Sequence, residues 1–247
     1  MAFQWKFGTK NGTNFKEKIR SANFESEDVR GNAVLKRKIQ SFDRENFHSI
    51  CDRLSKKDKE LHSILVKYGY PPFWSRKPGF ETLVHIILEQ QVSLASAKAA
   101  MNKLKQKIGT VTPKKISLLS DMELKECYFS RQKMAYARHL AHAILSKRLA
   151  LRKLTLKSDE EIRKELVSVK GIGNWTADVF LLMALHRSDI FPVGDLAMIQ
   201  SLKKVKKLPV HVTQERILSL AETWRPFRSI AAMILWHSYI QEKGIKI

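Results

Sequence analysis

The chain has 247 residues, 44% of them hydrophobic, and sets 45 Lys and Arg against 24 Asp and Glu, giving a formal net charge of +21 and a pI near 10.0. That apolar content excludes wholesale disorder, and the lack of any run of about 18 uncharged apolar residues excludes a membrane-spanning helix. Two cysteines, Cys51 and Cys127, cannot build a disulfide framework, a four-thiolate zinc site or a four-cysteine iron–sulfur cluster, and they fit a reducing compartment.

The cationic surplus points to a polyanionic partner, because each Lys or Arg that neutralises a phosphate releases a condensed counterion. Nucleic acid leads and an anionic membrane surface trails. Charge alone does not choose between them, since basic surfaces also serve ribosome and phospholipid binders.

Residues 1–40 are polar and charged with scattered Phe and Trp, and read as an N-terminal arm, either irregular or holding a short strand pair. Met1–Thr13 has no apolar stretch of signal-peptide length, which argues against secretion. From Phe42 onward apolar residues recur mostly at three- and four-residue spacing, so the expected fold class is all-α. The spacing predicts helices over 43–54, 56–68, 79–92, 93–107, 113–118, 121–127, 130–149, 158–168, 174–186, 195–202, 213–222 and 226–242. Turn signals separate most of them, among them Gly69-Tyr70-Pro71-Pro72, Lys77-Pro78-Gly79, Lys170-Gly171-Ile172-Gly173 and Phe191-Pro192-Val193-Gly194.

One unit, 158–186, carries chemistry. Ser158-Asp159-Glu160-Glu161 is a capping box that starts a helix, and Asn174 to Leu182 form a second helix with a strongly apolar face. Between them Gly171 and Gly173 bracket Ile172, so the backbone is expected to turn sharply at positive φ while Ile172 anchors the turn in the core. Outward-facing amides of Gly171, Ile172 and Gly173, the second helix's N-terminus with Thr176, and the charge of Lys170 make a candidate phosphate grip. A plain glycine turn between helices is the competing reading.

This stretch resembles the helix-hairpin-helix motif of DNA repair enzymes. In the helix-hairpin-helix DNA glycosylase superfamily the hairpin is followed by a loop with an essential Asp at the start of the next helix; here Phe191-Pro192-Val193-Gly194-Asp195-Leu196-Ala197 fits in order and interval. Phe80 to Ser93 looks like the superfamily's DNA-facing segment, while Trp224-Arg225-Pro226-Phe227-Arg228 and Trp236 look like the closing helix of the alkylated-base branch, 3-methyladenine DNA glycosylase II. The resemblance covers roughly residues 50–242. It implies two helical lobes around a cleft: 41–75 with 191–247 as one, 76–190 as the other.

A glycosylase passes through a sugar of oxocarbenium character, which a fixed anion stabilises, and Asp195 is the candidate. A helix dipole at that point favours the ionised form, although a bare N-cap role would also account for the residue. The target base must leave the stack and a side chain must fill the gap; by family position Gln91 is the wedge and Gln90 its neighbour at the cleft, whereas two surface glutamines in a good helix is the bland reading. At the position of Trp175 the superfamily's lyases carry a Lys, so the resemblance implies a monofunctional enzyme that uses water and leaves an abasic site. Trp175 and Trp236 are candidate walls for a cationic alkylated purine, joined by Tyr70, Phe73 and Trp74, with ordinary core packing the alternative for each. Arg225 and Arg228 are expected to hold the closing helix by ion pairs, and Lys203, Lys204, Lys206 and Lys207 either to meet phosphates or to be a solvated run. Where the family usually has a small Gly-like residue this chain has Tyr128 or Phe129.

The reading is therefore a monomeric base excision repair glycosylase that flips out and removes purines of the 3-methyladenine and 7-methylguanine type from duplex DNA, in the nucleoid-bearing cytoplasm or a nucleus. It needs no catalytic metal or cofactor beyond a Na+ or K+ ion that the resemblance allows at the hairpin. The rivals are a helix-hairpin-helix protein that only binds nucleic acid, and a glycosylase for oxidised or deaminated bases.

Overall fold

The computed structural model describes residues 41–245, so the N-terminal arm expected over 1–40 lies outside the described residues. Among these the regular structure is helical: α1 (Phe47–Lys57), α2 (Lys59–Tyr68), α3 (Phe80–Glu89), α4 (Leu94–Ile108), α5 (Pro113–Leu118), α6 (Asp121–Glu126), α7 (Arg131–Leu145), α8 (Asp159–Val167), α9 (Asn174–Met183), α10 (Leu196–Val205), α11 (Gln214–Glu222) and α12 (Arg228–Lys243). Their only β feature is an antiparallel bridge between Ser41 and Arg187. No described helix is long and apolar enough to cross a membrane.

The helix starts follow local chemistry. Ser158 accepts from the Glu161 amide at 3.3 Å while Glu161 accepts from the Ser158 amide at 2.8 Å, and Ser120 with Glu123 repeats the device at α6. Side chains of Asp58, Ser93, Thr112, Ser130 and Thr213 cap α2, α4, α5, α7 and α11 in the same sense.

The ends depart further from expectation. α7 stops at Leu145, four residues early, because Lys147 takes a left-handed φ of 60° and the Leu149 amide turns back to the Ala143 carbonyl at 3.0 Å, which buries Leu149. A six-residue 3₁₀ turn, Leu151–Leu156, then carries Leu154 into the core; a period of three over so short a run gave no signal. α9 ends at Met183, with His186 at φ 49°, and not at 186. α1 begins at Phe47, because Asp43 first accepts the Glu45 and Asn46 amides in a turn.

The principal helix pairings fall into two sets. α12 packs on α1, α2 and α10, with α1 on α2; α3 packs on α4, α7 and α9, with α5 and α6 on α7 and α8 on α9. One apolar cluster runs through both sets, including Phe47, Leu54 and Leu235 from the first and Leu83, Leu140 and Phe180 from the second, and the described residues lie in a single compact unit. Burying a Leu- or Phe-sized side chain contributes about 1.5–3 kcal/mol, so this shared core holds the two sets together.

Candidate active site

α10 begins at Asp195, whose Oδ1 accepts the Met198 amide at 2.9 Å as a helix cap. The same oxygen accepts from Trp236 Nε1 on α12 at 2.9 Å, and Oδ2 accepts from Trp175 Nε1 on α9 at 2.9 Å. Three N–H donors from three helices thus fix one carboxylate. A carboxylate offers about four acceptor positions, so one on Oδ2 remains for substrate or water. The residue is half-buried between Gly194, which is exposed, and Leu196, which is 58% exposed, so solvent reaches the site. The cap and the chemical role are compatible in one side chain.

The other acid of this region is unsuited to the task. Asp178 on α9 is buried and accepts Arg163 Nε at 3.0 Å and Nη2 at 2.7 Å; burial pushes its carboxyl up while Arg163 pulls it down, with a net rise. It locks α8 to α9.

The structure brings Asp195, Trp175 and Trp236 together through the N–H edges of the two indoles. Trp236 is only 7% exposed and turns its N–H edge to the carboxylate, so it holds Asp195 from within the core; Trp175, half-buried, does the same with more of its ring available. Tyr70 and Phe73, expected at the pocket wall, are placed elsewhere. Tyr70 is exposed, donates its hydroxyl to Asp52 at 2.7 Å and stacks on His48 at 4.3 Å. Phe73 packs edge-on against Phe42 and Phe47 beneath the Arg44 guanidinium. Trp74 lies 6.4 Å, ring to ring, from His237, the chain neighbour of Trp236.

At the hairpin only Gly171 has a positive φ, 99°; Gly173, at φ −97°, is the N-cap of α9. A Cβ on Gly171 would lie 2.2 Å from Tyr136 Cγ on α7, so glycine is required there by close approach as well as by conformation. Ile172 is buried as expected, but its amide donates to the Val169 carbonyl at 3.0 Å, which removes it from the set of amides free for a phosphate. Among the described residues the Gly171 and Gly173 amides find no such backbone acceptor, and Lys170 is exposed beside them. Thr176, expected to touch phosphate, is 1% exposed and its hydroxyl accepts from Gln90; its side chain faces inward.

α3 ends one residue before Gln90. Gln90 Nε2 donates to the Gly171 carbonyl and to Thr176 Oγ1, both at 3.0 Å, whereas Gln91 is exposed with a left-handed φ of 58°. Of the two glutamines, only Gln91 is exposed. Sequence reasoning missed two supports of this region, Tyr136 and Lys133. Lys133 Nζ donates to the Leu88 carbonyl at 2.6 Å, near the end of α3, and burial lowers its pKa. Neither partnership spans a short sequence interval that a motif could reveal.

Arg228 grips Asp189 bidentately at 2.7 and 3.0 Å and reaches Glu222 at 3.0 Å, while Arg225 pairs with Glu222 at 2.7 Å, so both arginines tie the closing helix down. In the lysine run, Lys206 is bound by Asp58 and Glu60, both at 2.7 Å, Lys204 by Glu242 at 2.9 Å and Lys203 by the Val210 carbonyl at 2.8 Å. Lys206 in particular is structural and not a phosphate ligand.

Comparison with known proteins gives concordant matches. A family model described as HhH-GPD superfamily base excision DNA repair protein matches residues 84–226. DNA-3-methyladenine glycosylase 1 of Schizosaccharomyces pombe is 28% identical over 182 residues, covering 72% of this chain and 80% of that protein. The putative DNA-3-methyladenine glycosylase YfjP of Bacillus subtilis is 26% identical over 197 residues, covering 76% and 68%. The solved structure of the S. pombe 3-methyladenine DNA glycosylase Mag1 in complex with abasic DNA superposes with a TM-score of 0.71 at 27% identity, covering 79% of this chain and 97% of that one.

Proposed function

We infer, because the chain belongs to the HhH-GPD superfamily of base excision DNA repair proteins, that it removes alkylated purines from duplex DNA by hydrolysing the bond between base and deoxyribose. The observation that carries this reading is the half-buried carboxylate of Asp195, held by two indole N–H groups with one acceptor position left over. As the bond to the base lengthens, positive charge grows on the sugar, and a carboxylate already fixed in place stabilises it without reorganising. Trp175 has no nucleophilic amine, so no Schiff base forms at that position; water completes the reaction and an abasic site remains.

The alkylated purine itself supports this economy. Carrying a formal positive charge, it leaves as a neutral base, so the reaction asks less of a general acid than of an anion beside the sugar. Rotating the nucleotide out of the stack costs a few kcal/mol, and Gln91, exposed at the end of α3, fills the space it vacates. The free amides of Gly171 and Gly173, the first turn of α9 and Lys170 grip a phosphate and set the duplex in register. The Val169 and Gly171 carbonyls each accept one hydrogen bond and keep a second lone pair, a donor chemistry that suits Na+ or K+. The partner is double-stranded DNA with damaged bases, and the protein acts as a monomer wherever that DNA lies, in nucleoid or nucleus.

The test is incubation of the protein with methylated duplex DNA and detection of free 3-methyladenine, free 7-methylguanine and abasic sites. Release of both bases without strand cleavage is expected. Tight DNA binding with no base release would replace the enzyme with a binding protein, and release confined to an oxidised or deaminated base would change the lesion.

A further inference from the structure

Three contacts close a triangle around the turn that bears Gln91. Lys133 on α7 donates to the Leu88 carbonyl of α3 at 2.6 Å. Tyr136, also on α7, lies so close to Gly171 that a Cβ there would be 2.2 Å from its ring. Gln90, leaving α3, donates to the Gly171 carbonyl and Thr176 Oγ1, both at 3.0 Å, across intervals of 81 and 86 residues. α3, α7 and the hairpin are each fastened to the other two.

We propose that Gln90 is a positioning residue that couples the hairpin's hold on a phosphate to the depth at which Gln91 enters the duplex. The inference rests on the glycosylase reading for the identity of the substrate, but the coupling itself concerns only the wedge and the phosphate grip. Residues 91–96 are all exposed, so beyond Gln90 the turn touches little that could steady it. Gln90's two N–H groups are both spent on the hairpin, one on the turn carbonyl and one on the first turn of α9. A movement of the gripped phosphate is therefore transmitted to the adjacent residue 91.

The chemistry requires a neutral amide. A Glu has the same shape but presents two acceptors to the Gly171 carbonyl, which can only accept, and an Asn is one methylene too short to reach both partners. Thr176, 1% exposed, cannot substitute a water for the lost donor without repacking.

The experiment uses the full chain with Gln90→Ala, Gln90→Glu and, leaving Gln90 in place, Thr176→Val. Three readouts are taken: affinity for undamaged duplex, extrusion of a 2-aminopurine nucleotide followed by fluorescence, and single-turnover release of 3-methyladenine. Affinity should stay within about twofold, while extrusion and release each fall by about tenfold for the Gln90 variants, the scale of two lost neutral hydrogen bonds, and by less for Thr176→Val. In addition, Gln91→Ala should cost less in the Gln90→Ala background than in the wild type, since an uncoupled wedge has less to lose. Unchanged extrusion overturns the proposal, as does a parallel fall in affinity, extrusion and melting temperature, which would make Gln90 a part of the fold and no more. Wild-type protein that extrudes the base in a Gln90-dependent way but releases none would sink the glycosylase reading and leave the coupling standing.

Discussion

Trp236 and Asp195 stand 41 residues apart, yet the indole Nε1 of one donates to Oδ1 of the other at 2.9 Å, and Trp236 is 93% removed from solvent by the standard of its 7% exposure. The ring therefore serves Asp195 before it serves any base. Trp236→Phe keeps an aromatic ring and deletes the donor, and a hydrogen bond to a charged group is worth about 1.5–3 kcal/mol. Single-turnover base release should fall by about 10- to 100-fold with little change in DNA affinity. A rate within about twofold of wild type would show that the Met198 amide and Trp175 hold the carboxylate unaided.

Asp195→Asn separates the cap from the charge. Asn caps a helix about as well as Asp, so α10 should keep its start. The charge beside the sugar is gone, and one amide nitrogen must face an indole or backbone N–H. Binding to an abasic duplex should persist while base release drops by about 100-fold or more, the scale of losing a fixed group aimed at a developing charge. Retained single-turnover activity would remove Asp195 from the mechanism.

The two hairpin glycines should respond very differently. At Gly171 a Cβ meets the Tyr136 ring at 2.2 Å in a backbone with φ 99°, whereas at Gly173, with φ −97°, it meets nothing within 4 Å. Gly171→Ala should destabilise by about 3 kcal/mol through strain and overpacking, read as a lower urea midpoint, and should weaken duplex binding as the grip deforms. Gly173→Ala should stay within about 1 kcal/mol.

That contrast also marks how far the sequence could be read. The Ser158 capping box, the Gly171-Ile172-Gly173 turn and the loop into Asp195 are local patterns whose chemistry is complete within a few residues, so they are legible. The site's long-range bonds are not. Nothing near Lys206 announces Asp58, 148 residues away, so the sequence leaves that lysine open between a phosphate contact and a solvated run; nothing near Thr176 announces Gln90, so a threonine at a helix start reads as a phosphate ligand. Aromatic character alone suggests Tyr70 and Phe73 for the pocket, but core and surface stacking satisfy that property equally well. The N–H edges of Trp175 and Trp236, bonded to Asp195 across 20 and 41 residues, are likewise beyond what sequence spacing shows.

Asp58 gives a pH dependence. It caps α2, and burial pushes its carboxyl up, but hydrogen bonds from Lys206, the Leu61 amide and the buried Trp224 indole outweigh that and leave it below the ordinary carboxylate range. A lowered folded-state value means that the unfolded chain binds the proton more readily. The contribution to stability is therefore complete above the unfolded value, about 4, and is lost as pH falls through the folded one. Asp58→Asn should be less stable than wild type by about 2 kcal/mol at pH 7, and the gap should narrow below about pH 4 in urea titrations. A gap constant down to the acid limit would show that the carboxylate charge contributes nothing.

Tyr128 offers a gain. It follows α6 at φ 63°, a left-handed conformation that costs a non-glycine residue about 1–2 kcal/mol, while its side chain is 61% exposed and the next residue, Phe129, is buried at 3%. Its amide still closes the turn on the Lys125 carbonyl at 2.9 Å, so the backbone geometry does not depend on the ring. This is the place where a small residue suits the turn, and the chain keeps a tyrosine. Tyr128→Gly relieves the conformation but adds freedom to the unfolded chain, so a net gain of about 1 kcal/mol is expected, a rise of about 2–4 °C in melting temperature. Thermal unfolding checks it directly. A fall in melting temperature would mean that the exposed ring makes packing contacts worth more than the strain, since the turn itself needs no side chain.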